Sequence, residues 1–214
     1  IIMDSIQRCA ADHSAETTST AVALPSDEMK GRIIGKEGRN IKTIEKLTGC
    51  ELIIDETPDM ILVSGFSPIR RRVCQIALER LIKDGRIQPM RIEEFIEEAK
   101  KELAVDIKKA GEEALYKLGI TGLDPKLVSI VGRLKYRTSY GQNVLNHSIE
   151  VAQLSALIAE ELEVDASKAK KAGFFHDIGK TVDQDTPGGH PEIGGTILRK
   201  FGLDEDTQDA AMHH

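Results

Sequence analysis

The chain has 214 residues, 40% hydrophobic and 30% charged, enough apolar material for one or two packed domains and too much for wholesale disorder. Its 29 Lys and Arg stand against 35 Asp and Glu, a net charge of −6, so nucleic acid cannot be held by bulk charge and would need a local basic patch. Aromatic residues make up 4% and Trp is absent, which argues against modules that stack bases on exposed rings.

Ser5 to Asp12 reads as weakly helical. Thr17–Leu24 (TTSTAVAL), bounded by Pro25, reads as a strand. Asp27–Lys30 opens a short helix that Gly31 and Gly35 interrupt. From Glu37 a second helix sets Ile41, Ile44 and Leu47 on one face and stops at Gly49. Cys50–Asp55 and Met60–Gly65 read as strands joined by a turn at Thr57-Pro58-Asp59. Ser67 caps a helix that has Pro68 in its first position and runs to Gly85. The order strand-helix-helix-strand-strand-helix makes residues 1–85 one α+β domain with a short N-terminal lead. Apolar residues then recur in steps of three and four along a long helix from Ile92 to Leu118. Beyond Asp124 the pattern predicts helices over Pro125–Tyr136, Asn143–Leu162, Ser167–Phe175 and His190–Phe201 and no strand. Residues 86–214 therefore read as an all-α domain. In the helix over Asn143–Leu162 the apolar face is Val144, Ile149, Val151, Leu154 and Leu157.

Three cysteines, Cys9, Cys50 and Cys74, are odd in number and form no Cys-x-x-Cys; they read as buried, reduced thiols of a cytosolic protein. No apolar run nears the ~18 residues of a membrane span and no signal peptide opens the chain, so a soluble cytoplasmic molecule without membrane contact is expected. Ile1 at the start is expected of a fragment, and His213-His214 at the end of either an internal cut or a tag remnant.

The first domain carries Gly31-Arg32-Ile33-Ile34-Gly35-Lys36-Glu37-Gly38-Arg39-Asn40, a Gly-x-x-Gly loop between two short helices. Glycine at 35 and 38 lets backbone approach a sugar–phosphate chain where a Cβ would collide, and the following helix offers its N-terminal amides to phosphate. From Lys30 to Lys46 six basic residues outnumber two acids, a local patch of +4 in an acidic protein. Alone, Gly-x-x-Gly is a weak pattern. With Ile-Ile before it and this element order around it, the domain resembles a KH domain of the βααββα type. That resemblance implies a clamp for about four nucleotides of single-stranded RNA or DNA, built on Arg32, Gly35, Lys36, Glu37, Gly38 and Arg39. The alternative is a KH fold kept for protein contacts.

The second domain holds five of the six histidines. His147 lies in a helix, His176-Asp177 follows the apolar run Ala172–Phe175, His190 follows Pro187-Gly188-Gly189, and His213-His214 close the chain. His13 stands apart and reads as an ordinary surface residue. Imidazole and carboxylate suit Mn, Fe and Zn, and carboxylate also suits Mg. Adjacent His and Asp can reach one ion, or Asp177 can bridge two; a lone His-Asp pair is more often a satisfied polar pair. The whole series resembles the HD phosphohydrolase superfamily, an all-helical metal-enzyme fold. The implied ligands of a divalent metal (Mn, Mg or Zn) are His147, His176, Asp177, His190 and His213 or His214. The implied catalytic residues are His176, Asp177 and Lys180, the last either contacting a substrate phosphate or simply solvated. The family pattern has a further Asp ligand beyond the His-His pair, which falls outside this sequence, so a C-terminally truncated HD domain is expected.

The stretches DEMKGRIIGKEGRNIKTIEKLTG and RLKYRTSYGQNVLNHSIEVA, with KH ahead of HD, resemble the ribonuclease Y family. The resemblance implies a bacterial, metal-dependent endoribonuclease that cleaves single-stranded RNA and begins mRNA decay. It also implies an N-terminal membrane anchor and coiled coil ahead of the KH domain, neither present in this sequence, with the parent protein held at the cytoplasmic face of the membrane. Water would attack phosphorus in line, leaving 5′-phosphate and 3′-hydroxyl ends. A homo-oligomer and protein partners in RNA decay are expected, the stripe on Ile92–Leu118 being free to pack on its own domain or on a second copy. Two other readings stay open: an RNA-binding or assembly module with an inert HD half, and a phosphohydrolase of small nucleotides.

Overall fold

The computed structural model describes residues 18–182 and 186–214. The expected helix over Ser5–Asp12, with Cys9 and His13, lies outside the described residues. Two compact units are parted between Val105 and Asp106, whereas composition alone places the change at Gly85.

In the first unit the strands are β1 (Ser19–Ala23), β2 (Glu51–Ile53) and β3 (Met60–Ser64). Both outer strands pair antiparallel with β3, in the order β1-β3-β2. The register sets Val22 opposite Ile61 and Leu52 opposite Val63. Period-two alternation thus turns Val22, Ile61, Val63 and Leu52 to the buried face. The helices are α1 (Glu28–Ile34), α2 (Arg39–Thr48) and α3 (Pro68–Asp84). The α3 boundaries follow local chemistry: Ser67 Oγ accepts from the Arg70 N–H, Pro68 occupies the first turn, and Gly85 ends the helix at φ 77°. Ile33, Ile44, Leu78 and Leu81 fill the space between helices and sheet. This is the βααββα arrangement expected from the sequence.

A long helix, α4 (Pro89–Leu118), carries the stripe left open above. Its first half buries Ile92, Ile96, Ala99 and Leu103, and its second half buries Ala110, Ala114, Leu115 and Leu118, so the chain itself covers the stripe.

The second unit continues with α5 (Pro125–Arg133), α6 (Val144–Glu161), α7 (Ala166–Phe175), α8 (His190–Lys200) and α9 (Glu205–Met212). Leu127, Val131, Leu145, Ile149, Phe174, Phe175 and Leu198 form its core. Three expectations are corrected here. A small hairpin, Thr138–Ser139 paired with Gln142–Asn143, stands where no strand was expected. Its turn takes positive φ at Tyr140 and Gly141, a backbone choice that hydropathy patterning does not register. The eight-residue α9 was also unforeseen, because EDTQDAAM is too short and polar to show a period; it forms through Asp204, whose carboxylate accepts from the Thr207 N–H. Finally, α6 buries Ser148, Ala152, Ala156 and Ala159, while Leu154 and Leu157 are exposed. Small residues win that face because α6 and α7 pack closely: a Cβ on Gly173 would lie 2.7 Å from Ser155 Oγ. No helix among the described residues is long and apolar enough to cross a membrane.

Cys50 and Cys74 are buried free thiols. Burial, with Cys50 alongside, pushes the Cys74 thiol up to about 12, leaving almost no thiolate at ordinary pH. The Cys74 peptide is therefore expected to stay unlabelled by iodoacetamide at pH 8 in the folded protein and to label fully in denaturant, as read by mass spectrometry. Rapid labelling of the native chain would contradict this packing.

Candidate metal centre and nucleic-acid loop

Asp177 is the buried centre of the second unit's polar cluster, its side chain 2% exposed. It follows His176, which ends α7, and precedes a 3₁₀ turn over Ile178–Thr181. His147 sits in the first turn of α6, His190 opens α8, and His214 lies just beyond α9. Residues far apart in the chain thus meet at one carboxylate. Oδ2 lies 3.3 Å from His176 Nε2 and 3.8 Å from His147 Nε2. Oδ1 lies 3.4 Å from His214 Nε2 and 3.5 Å from His190 Nε2. Each oxygen faces its own pair of imidazoles.

Two glycines permit this convergence. A Cβ on Gly179 would stand 1.9 Å from the His190 carbonyl oxygen, and one on Gly195 would stand 2.2 Å from Met212 Cγ. Only hydrogen at Gly179 lets the turn after Asp177 touch the start of α8, and the bare backbone at Gly195 makes room for the Met212 side chain of α9 against α8. Both positions escaped the sequence reading; the glycine clusters around them were the available signal.

The imidazoles are oriented for coordination. His176 Nδ1 lies 2.8 Å from the Gly173 carbonyl, and His214 Nδ1 lies 3.0 Å from the Ala211 carbonyl. A carbonyl only accepts, so each Nδ1 is the protonated nitrogen and, in the neutral ring, Nε2 holds its lone pair toward Asp177. Burial, then the charge of His176, depresses the His147 pKa, which favours its neutral, ligating form. Lone pairs turned toward a carboxylate are unfavourable unless a cation lies between them. Asp177 Oδ1, moreover, is buried and has no hydrogen-bond donor among the described residues. The donor set therefore fits divalent ions: His147, His176 and Asp177 form one group and Asp177, His190 and His214 another, with the ligand atoms of each within 4.8 Å of one another.

Two sequence expectations are refined. His213 is not in either group; its Nδ1 bonds the Asp209 carbonyl at 3.1 Å, and its neighbour His214 supplies the imidazole. Lys180 does not reach into solvent: its Nζ donates to Asp177 Oδ2 at 2.8 Å. Burial alone would raise the Asp177 pKa, but the hydrogen bond that a protonated His176 ring gives, together with that of Lys180, outweighs it and holds the carboxyl well below the usual range.

In the first unit, Gly35 and Gly38 bracket a 3₁₀ turn over Lys36–Gly38, and positive φ at Gly35, Glu37 and Gly38 forms the bend. Lys36, Glu37 and Arg39 are exposed. Arg32 is directed elsewhere, donating to the Gly85 carbonyl, and Lys30 donates to the Asp55 and Thr57 carbonyls. Asn40, which the sequence reading did not single out, is buried behind the loop. Its Nδ2 donates to the carbonyls of Arg32 at 3.0 Å and Ile87 at 3.1 Å. A Cβ at Gly35 would collide with this amide at 2.6 Å. No pattern in the sequence marks such a brace.

The family model for the KH domain matches residues 19–81, and that for the HD domain matches residues 144–214. The chain is 60% identical to Ribonuclease Y of Thermoanaerobacter pseudethanolicus over 214 residues, all of this chain and 42% of that protein. It is 58% identical to Ribonuclease Y of Alkaliphilus metalliredigens, again over 214 residues, and covers 45% of that protein. The chain belongs to the ribonuclease Y family. A third member, from Clostridium kluyveri, is 60% identical over 201 residues, 94% of this chain and 39% of that protein. The chain thus spans about two fifths of the length of these curated relatives. No solved structure matches it. An α+β KH domain followed by a helical HD domain is the ribonuclease Y order, as the sequence motifs implied.

Because Nε2 of His214 and not of His213 faces Asp177, His214→Ala is expected to lower bound Mn, measured by mass spectrometry on dialysed protein. His213→Ala should leave it unchanged, and equal losses in both would refute the assignment.

Proposed function

We propose that this chain is the RNA-binding and hydrolytic part of a metal-dependent endoribonuclease acting on single-stranded RNA, at the start of mRNA decay. The observation that carries the reading is the Asp177 carboxylate, with each oxygen facing two imidazoles. In this reading His147, His176, Asp177, His190 and His214 hold divalent ions. Bound there, such ions supply activation of water and neutralisation of phosphate charge.

The chain's own residues do the rest. Asp177, kept ionised by the Lys180 ammonium when the imidazoles are neutral, supplies an anion to the cluster. The imidazoles are a quarter to a third exposed at His147, His190 and His214, which leaves the cluster open to a polymeric phosphodiester. Lys180, tied to Oδ2, balances charge at the carboxylate and is a positioning residue in this scheme. The loop at Gly35–Gly38 binds the sugar–phosphate backbone, with Lys36 and Arg39 exposed to phosphate. Joining the loop and the metal centre in one chain raises the effective concentration of RNA at the latter. No side-chain nucleophile is required: water attacks phosphorus and the 3′-oxygen leaves.

The names of the relatives and the KH and HD matches support the nuclease reading. Self-association, decay partners and attachment of the whole protein to the cytoplasmic face of the membrane belong to the same proposal.

With Mn or Mg, the chain is expected to cut single-stranded RNA internally, leaving 5′-phosphate and 3′-hydroxyl ends, and to spare duplex. EDTA or Asp177→Ala should bring cleavage to background while RNA retention in gel shift persists. Changing Gly35 and Gly38 to Asp should abolish retention. Cleavage by the Asp177 variant in EDTA would end the proposal.

A further inference from the structure

The C-terminal half of α6 carries side chains at odds with their setting. Leu154, Leu157, Ile158 and Leu162, with Val164 just beyond, are 37% to 68% exposed. Spacings of three, four and eight residues set the first four on one side of the helix, over about 12 Å of its length. The core side is taken by Ala152, Ala156 and Ala159, so this is a second, outward apolar face. Single leucines on a surface need no account, but five neighbouring branched side chains do.

The end of the helix departs from the ordinary in two further ways. Glu163 takes φ 56°, a position that Gly49 and Gly85 fill at the ends of α2 and α3. Its N–H donates to the Glu160 carbonyl at 3.1 Å, and that of Val164 donates to the Ala159 carbonyl at 2.9 Å. These bonds fold Val164 back beside the last turn and prolong the stripe. Charge is equally one-sided: residues 144–165 hold five acids and no Lys or Arg. Glu160, Glu161 and Glu163 crowd the helix C-terminus, where the macrodipole already disfavours negative charge, and none has an ion-pair partner among the described residues. Neighbouring α7 compensates little: Lys168 and Lys171 are engaged with Asp206 and Asp204, and Lys170 is half-buried.

Exposed apolar groups and an unneutralised acidic rim both work against α6 standing uncovered. A partner that shields the stripe and brings positive charge relieves both at once. RNA or an anionic bilayer would meet repulsion from the carboxylates, and a second copy would set the same acids against themselves. We infer that residues 154–164 form a docking surface for an amphipathic helix of a partner protein, with Leu or Ile on its inner face and Lys or Arg on its flanks. Such a helix lays an apolar ridge along α6 and brings its bases to Glu160, Glu161 and Glu163. No candidate metal ligand lies within 154–164, so the inference goes beyond the hydrolytic reading and stands apart from it.

The probe is a fluorescein-labelled peptide of about 18 residues, five helical turns with Leu on one face and Lys on both flanks. Anisotropy is expected to report a Kd of about 10 µM at low salt, weakening about tenfold at about 0.5 M NaCl. Amide shifts in the ¹⁵N-labelled chain should fall on residues 153–165. Leu157→Ser with Ile158→Ser, exposed positions whose change leaves the core untouched, should weaken binding about tenfold, as should Glu160→Gln, Glu161→Gln and Glu163→Gln together. Circular dichroism checks that each variant is folded. Equal binding of a control peptide with Glu in place of Lys, no binding of the Lys peptide up to about 1 mM, or unchanged binding by the Ser variant would overturn the surface. So would a dimer in sedimentation that the Ser variant dissolves, since a second copy would then cover the stripe. A chimera in which this chain replaces the 214 matched residues of full-length Ribonuclease Y from Thermoanaerobacter pseudethanolicus should still take the peptide. Loss there would mean that the longer chain covers its own stripe, which overturns the partner.

Discussion

A carboxylate taken almost wholly out of water is the constraint around which the second unit is organised. An ionised group at that depth costs several kcal/mol unless cations or donors surround it. Asp177 meets the cost on one side through Lys180, and on the other its Oδ1 has no hydrogen-bond donor among the described residues. The imidazoles of His147, His176, His190 and His214 complete the shell. Adjacent rings in the series 147, 176, 214 and 190 have centroids 5.1 to 5.2 Å apart. Such crowding of imidazoles about one anion could hold a cation, and a core of hydrocarbon would be cheaper if stability alone were at stake.

The supports of that shell are mostly small residues. Where α6 meets α7, alanines and Gly173 allow the helix axes to approach, and His147 and His176 are brought together as a result. Gly179 performs the same service for His190, and Gly195 for the helix that leads to His214. The Asp204 cap starts that last helix, whose sequence has little helical drive of its own.

The loop of the first unit follows a different logic. Its task is exposure, and its rigidity comes from behind. Asn40 ties the end of α1 to the segment after α3, while Arg32 grips the Gly85 carbonyl. Lys36 and Arg39 are left outward. A basic patch counted along the sequence is therefore smaller in space than its charge suggests, since Lys30 and Arg32 are already engaged with backbone carbonyls.

Much of this was legible beforehand. The alternation in β1 and β3, the Ser67-Pro68 start and Gly85 stop of α3, and the Gly-x-x-Gly bend are local, and local chemistry is written in neighbouring residues. The types and order of the side chains that gather at Asp177 were equally open to reading. What the chain's order could not supply was which of two adjacent histidines turns inward, that Lys180 is tied to Asp177, or that Leu154 and Leu157 face outward while alanines face in. Those outcomes depend on how closely helices pack and on the rotation of each helix about its axis. Both are settled by contacts between residues distant in sequence, where a single missing Cβ decides what can touch.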